Sequence, residues 1–132
     1  MPPHISEAAT EAFECQSSEH YRGAILLVRA VIEATAKDVG ITSGNLTSKI
    51  EAMAAAGLIR NIIKDAAHRI RQLGNDMAHG DFVDPVSAEE SRLVIRLMGD
   101  ILNDVYQTPA AISQAEQAVQ LRRQCATDSE TS

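Results

Sequence analysis

Aromatic residues are scarce in this chain, with two Tyr, two Phe and no Trp among 132 residues. Ala, Ile, Leu, Val and Met carry the apolar mass instead, a palette that suits helices better than strands. Cysteine is as rare. Cys15 and Cys125 lie near opposite ends without CxxC spacing, which excludes a zinc-site or redox motif and leaves both expected as reduced thiols in a cytoplasmic chain. Long hydrophobic runs are missing too. The longest, Gly23 to Val28, is far too short to cross a bilayer, and Met1-Pro2-Pro3-His4 has neither the basic nor the apolar region of a signal peptide. Basic residues are outnumbered: twelve Lys and Arg face eighteen Asp and Glu, for a net charge of −6. That balance excludes a protein that coats nucleic acid non-specifically and confines any RNA or DNA contact to a local patch. No glycine-rich phosphate loop follows a strand, and no His, Cys or acidic set has metal-ligand spacing, so neither a cofactor nor a metal is expected.

What is present is helical periodicity at the scale of one domain. The expected fold is all-α, an up-down bundle of five to six helices over residues 6–124, with a disordered leader at 1–5 and a disordered tail at 125–132. Ser6 is the expected cap of a first helix whose inner stripe is Ala9, Ala12, Phe13 and Gln16. The second helix, His20 to Asp38, buries Tyr21, Ala24, Ile25, Val28, Val31, Ile32, Thr35 and Val39 and ends at Gly40. Leu26, Leu27 and Ala30 lie off that stripe, so the helix is either central or packed on a second subunit, and a homodimer is expected.

A short helix, Leu46 to Ala56, precedes a long one from Leu58 toward His79, with a break expected near Leu58 to Ile62. Its apolar positions include Ile62, Ile63, Ala67, Ile70, Leu73 and Met77. Ser87-Ala88-Glu89-Glu90 fits a capping box that opens a helix striped by Leu93, Val94, Leu97, Met98, Ile101, Leu102 and Val105. Thr108-Pro109 should break it, with Pro109 in the first turn of a last helix through Gln124.

Chemistry concentrates in Arg71-Gln72-Leu73-Gly74-Asn75-Asp76-Met77-Ala78-His79. On a helix Arg71, Asn75 and His79 step by four residues and form one polar ladder, each step turning roughly 40° about the axis. Together they offer donors for phosphate and one group that titrates near neutrality. Arg71 and His79 are about 12 Å apart along the axis and cannot share one phosphate within a helix. A purely structural ladder is the competing reading: Arg71 pairs with Glu33 or Asp76, Asn75 bonds a backbone group of a neighbouring helix, and His79 satisfies the end of its own helix. His4, His20 and His68 are scattered and read as surface or half-buried structural residues.

Two stretches resemble a known family. Arg29-Ala30-Val31-Ile32-Glu33 resembles an R-x-x-[LI]-E element, and Ile70 to His79 resembles an IR-x-x-GN-x-x-AH element. Together they are similar to the bacterial domain-of-unknown-function 4145 family, over roughly Ser6 to Ile112. That family looks like a branch of the HEPN helical domains, which implies side-by-side dimers, defence or toxin–antitoxin systems, and metal-independent endoribonuclease activity from an Arg and a following His. The Arg that the resemblance places just before Asn75 is Gly74 here, and Arg71 is the nearest candidate.

The resemblance therefore implies a catalytic set of His79, Asn75 and Arg71, with Arg29, Glu33 and Arg69 as RNA- or phosphate-binding residues. In that reading His79 is the general base on a ribose 2′-hydroxyl or the acid on the leaving oxygen. The alternative is a non-catalytic dimeric module that scaffolds a protein partner or binds nucleotide or RNA, since Arg60, Lys64, Arg69 and Arg71 concentrate positive charge on one segment. No membrane contact is expected in either case.

Overall fold

Apolar residues at helical spacing along nearly every segment account for the architecture of the computed structural model, which describes the backbone of residues 1–131 and all their side chains except those of Asp76 and 129–131. The elements are α1 (Pro3–Ser17), α2 (Tyr21–Asp38), α3 (Leu46–Ala55), α4 (Asn61–Ala78), α5 (Ala88–Leu102), a π-helical turn (Asn103–Gln107) and α6 (Thr108–Thr131). No strand occurs among the described residues, and no helix is long and apolar enough to cross a membrane.

Helix α2 is the hub. It packs on α1, α3, α4 and α5, and buries Ala24, Ile25, Val28, Val31, Ile32 and Thr35. Each large aliphatic side chain so buried contributes roughly 1.5–3 kcal/mol. Leu26 and Leu27 are half-buried against the same core, while Ala30 is exposed. The hydroxyl of Thr35 donates to the Val31 carbonyl at 2.8 Å, which satisfies a polar group in the core.

Local signals explain the ends of the elements. Gly40, at φ 92°, closes α2 with the Gly40 N–H on the Lys37 carbonyl and the Ile41 N–H on the Ala36 carbonyl, a Schellman turn. Asn45 caps α3 by accepting from the Ser48 N–H, and Ser87 with Glu90 forms the capping box of α5. At the end of α1 the left-handed position falls on Glu19, at φ 63°, where a side chain is strained.

Several expectations are corrected. Helix α1 begins at Pro3, inside the expected leader, with Ser6 within the helix: Pro at the first helical position needs no N–H partner, and Ile5 is fully buried. Its inner stripe is Ile5, Ala9 and Ala12, while Phe13 is exposed. Ile62, Leu73 and Leu93 are exposed as well, because the stripes of α4 and α5 centre on Ile63, Ala67, Ile70 and Met77 and on Val94, Met98 and Ile101. Helix α6 continues to Thr131, across most of the expected tail.

Thr108-Pro109 does not break the chain's course. A proline in an α-helix clashes with the carbonyl four residues back, and the widened π turn immediately before it, where the Thr108 N–H reaches the Asn103 carbonyl, takes up that conflict without ending the helix. The turn is tied down twice. Asp104 accepts from the Arg60 backbone N–H, Nε and Nη2, each at 3.1 Å, and so caps α4 from another segment. Tyr106 donates to Asp38 at 2.7 Å; burial, reinforced by that carboxylate, pushes the phenol up to about 12, so it stays a donor at physiological pH.

Replacing Asp104 with Ala removes a helix cap and leaves the Arg60 N–H without its partner. It should lower unfolding free energy by about 1–3 kcal/mol, measured by urea titration, whereas Arg60→Ala, which keeps the backbone bond, should cost less.

Candidate functional site

The α4 sequence carries two stripes side by side. Ile63, Ala67, Ile70, Gly74 and Met77 face the core, and Lys64, His68, Arg71 and Asn75 follow at i, i+4, i+7 and i+11 along the adjoining, half-buried side. The second stripe borders α2 and α3, and charges from both helices meet it. Glu51 of α3 accepts from or pairs with His68 Nε2 at 2.7 Å and Lys64 Nζ at 3.7 Å. Lys49 of α3 reaches Glu33 of α2 at 4.0 Å.

Gly74 sets how closely α2 and α4 approach. A Cβ built there would lie 3.3 Å from Ile25 Cγ2 and 3.6 Å from Arg29 Cδ. The place of a side chain at position 74 is thus taken by Ile25 and by the methylene stem of Arg29. Arg29 crosses this point and its Nη1 donates to the Arg71 carbonyl at 3.3 Å. The Arg29 guanidinium of α2 is thereby held on the α4 backbone at Arg71, one turn before Asn75. Arg71 Nε is itself buried with no hydrogen-bond partner among the described residues, as is His68 Nδ1.

The expected site residues are brought together only in part. Arg29, Arg71 and Asn75 share the α2–α4 face. His79 sits beyond the last residue of α4, exposed, its N–H on the Asn75 carbonyl at 3.3 Å. Glu33 lies on the same side but pairs with Lys49 rather than with Arg71. Arg69, two residues before Arg71, points about 200° away around the helix and bonds the neighbouring Gln72 at 3.1 Å. The pairing of Arg71 with Asp76 falls on a side chain outside the described residues. Arg60 belongs to the Asp104 cap, away from this face.

His68 is the residue whose setting sequence reasoning missed. It is not isolated: with Lys64 it meets the Glu51 carboxylate, one turn before Arg71. The i, i+4, i+7 spacing of Lys64, His68 and Arg71 was the available signal. The hydrogen bond from His68, with Lys64 adding to it, holds the Glu51 carboxyl below the usual carboxylate value of 4.5.

Because the folded value of Glu51 is depressed, its contribution to stability is present above the unfolded value and is lost as pH falls through the lowered one. The Glu51→Gln protein should therefore show a shallower decline in stability below pH 4.5 than the unmutated chain, measured by thermal melts at stepped pH. At position 74, Gly74→Arg should not restore a function. It should cost about 1–3 kcal/mol through overpacking against Ile25, seen as a lowered melting temperature.

A family described as Domain of unknown function (DUF4145) matches residues 10–124. No curated protein and no solved structure matches the chain.

Proposed function

The chain belongs to the family described as Domain of unknown function (DUF4145), and from that premise we propose that it is a HEPN-like, dimeric RNA-binding domain that cleaves RNA without a metal. The observation that carries this reading is the Arg29 guanidinium held on the Arg71 carbonyl beside Asn75. The arginine that the family resemblance calls for next to Asn75 is absent from position 74, and Arg29 supplies a guanidinium there from α2, its stem lying over the glycine. Guanidinium groups are always charged and match phosphate geometry, so the pair suits one phosphate of an RNA backbone.

In this reading Arg29 and Arg71 hold the phosphate and Asn75 donates to one of its oxygens. His79 takes the proton from the ribose 2′-hydroxyl, whose oxygen attacks phosphorus. The 5′-oxygen leaves, taking a proton from water, and a 2′,3′-cyclic phosphate remains. The ladder spans about 12 Å from Arg71 to His79, so His79 serves a phosphate held by the partner copy rather than by its own Arg71. Glu33, engaged with Lys49, keeps that lysine in the groove and does not itself contact RNA.

A second reading, a non-catalytic interaction module, draws support from α6, which packs on nothing but the π turn among the described residues.

The test is cleavage and binding of single-stranded RNA measured side by side. His79→Ala should reduce cleavage by about 10²-fold or more while leaving binding intact, and chelator should change nothing. Arg71→Ala and Arg29→Ala should each weaken binding. Binding without cleavage in the unmutated protein would leave only the module reading, and loss of neither on Arg71→Ala would remove the site.

A further inference from the structure

The loop after α4 holds two consecutive apolar residues out in solvent: Phe82 is 51% exposed and Val83 87%. In a chain with two Phe and no Trp, that is a notable use of an aromatic side chain. The backbone beneath the pair is braced. Arg22, in the first turn of α2, donates through Nη2 to the Phe82 and Asp84 carbonyls at 3.1 Å each. The Val83 N–H donates to Asp81 Oδ1 at 3.2 Å, closing an Asx turn. Gly80, at φ 85°, lets the chain leave α4 directly after His79.

The braced turn stands in line with the arginine site. Arg22 and Arg29 are seven residues apart on α2, so they share one face of that helix, about 10 Å apart along its axis. Arg29 holds the α4 backbone at Arg71, and Arg22 holds the loop beyond His79. A single face of α2 thus aligns the Arg71 and Asn75 end of the groove with the Phe82 turn, and His79 lies between them in the chain. Three residues take the backbone from His79 to Phe82, at most about 11 Å, so a base resting on Phe82 belongs to a nucleotide within reach of His79.

We infer that Phe82, with Val83 beside it, is a stacking platform for one base of single-stranded RNA, the base of the nucleotide whose 2′-hydroxyl meets His79 or of its neighbour. An aromatic ring offers a π face to any base, and the unstacked bases of single strands are held in this way. A ring already fixed on a braced turn loses little freedom when a base settles on it. The flanking carboxylates decide which part of a nucleotide comes here: Asp81 and Asp84 repel a phosphate and can accept from the amino group of a base. Arg29, Arg71 and Asn75 address only the RNA backbone, so Phe82 adds a contact to a base. The subsite rests on the RNA reading above.

The full chain is titrated into single-stranded RNAs that carry 2-aminopurine, a base whose fluorescence is quenched by stacking, at successive positions. The unmutated protein should quench one position. Phe82→Ala should abolish that quench and weaken binding about fivefold or more, with an unchanged melting temperature, while Phe82→Tyr should keep both. Salt separates the roles: Arg71→Ala should flatten the fall of affinity with salt, and Phe82→Ala should leave that slope as it is. Phe13→Ala, which removes a similarly exposed ring on α1, should change neither quench nor affinity. RNA bound and quenched as well by Phe82→Ala as by the unmutated chain would overturn the subsite alone, whether or not His79 cleaves. No binding of RNA by the unmutated chain would overturn the RNA reading, and the subsite with it.

Discussion

The close approach of α2 and α4 at Gly74 is the constraint on which the site depends. With no side chain there, Ile25 and the Arg29 stem come within contact distance of the α4 backbone. This fixes how α4 is rotated about its axis. The rotation sends Ile63, Ala67, Ile70 and Met77 into the core and leaves Lys64, His68, Arg71 and Asn75 at the edge, where α2 and α3 present complementary charges. A glycine in a helix interior costs about 1 kcal/mol relative to Ala, and this one is explained by packing. The same contact brings Arg29 onto the Arg71 carbonyl, so one residue without a side chain sets both the helix crossing and the placement of a charge.

The second constraint is at the other end of α4. Asp104 caps α4 and binds Arg60, while Tyr106 holds Asp38, so five π-helical residues join the end of α5 to the start of α4 and the end of α2. A π turn places an extra residue in the helix, and here that residue count aims Asp104 and Tyr106 at different partners while the helix continues into Pro109. The direction of α6 follows from this junction. The helix is carried out past the body, and among the described residues it packs only on the π turn.

How much of this was legible depends on the distance over which each signal acts. Caps and stops are local, and Gly40, Asn45 and the Ser87–Glu90 box all act as their residue types imply. The stripe of α2 was readable because α2 has neighbours on nearly every side, so each apolar residue on it finds cover. On α4 and α5 periodicity identifies an apolar arc but not where the neighbouring helix stops covering it, and Ile62, Leu73 and Leu93 fall just outside. Phe13 was misplaced for a related reason: on α1 the small residues Ala9 and Ala12, not the largest one, meet α2, because they permit closer packing. The π turn had no signature beyond Pro109, which reads equally as a stop. Arg69 and Arg71 look equivalent as basic residues in one segment, yet the helix sends them to different sides.

The net charge of −6 bears on the site through its distribution. Arg29, Lys49, Lys64 and Arg71, with His68 beside them, gather along the groove where α2, α3 and α4 meet, against Glu33 and Glu51. Glu51 is engaged by Lys64 and His68, and Glu33 by Lys49, which leaves the two arginines as the excess charge at the Asn75 end of the stripe. At physiological ionic strength fields from exposed charges fade over about 8 Å. The acids of α1, such as Glu7, Glu11 and Glu14, lie on an exposed face of another helix and do little to cancel a guanidinium pair held partly out of solvent. An overall acidic chain can thus keep a local anion-attracting face, provided its cations are collected by helix packing. The contact at Gly74 does this.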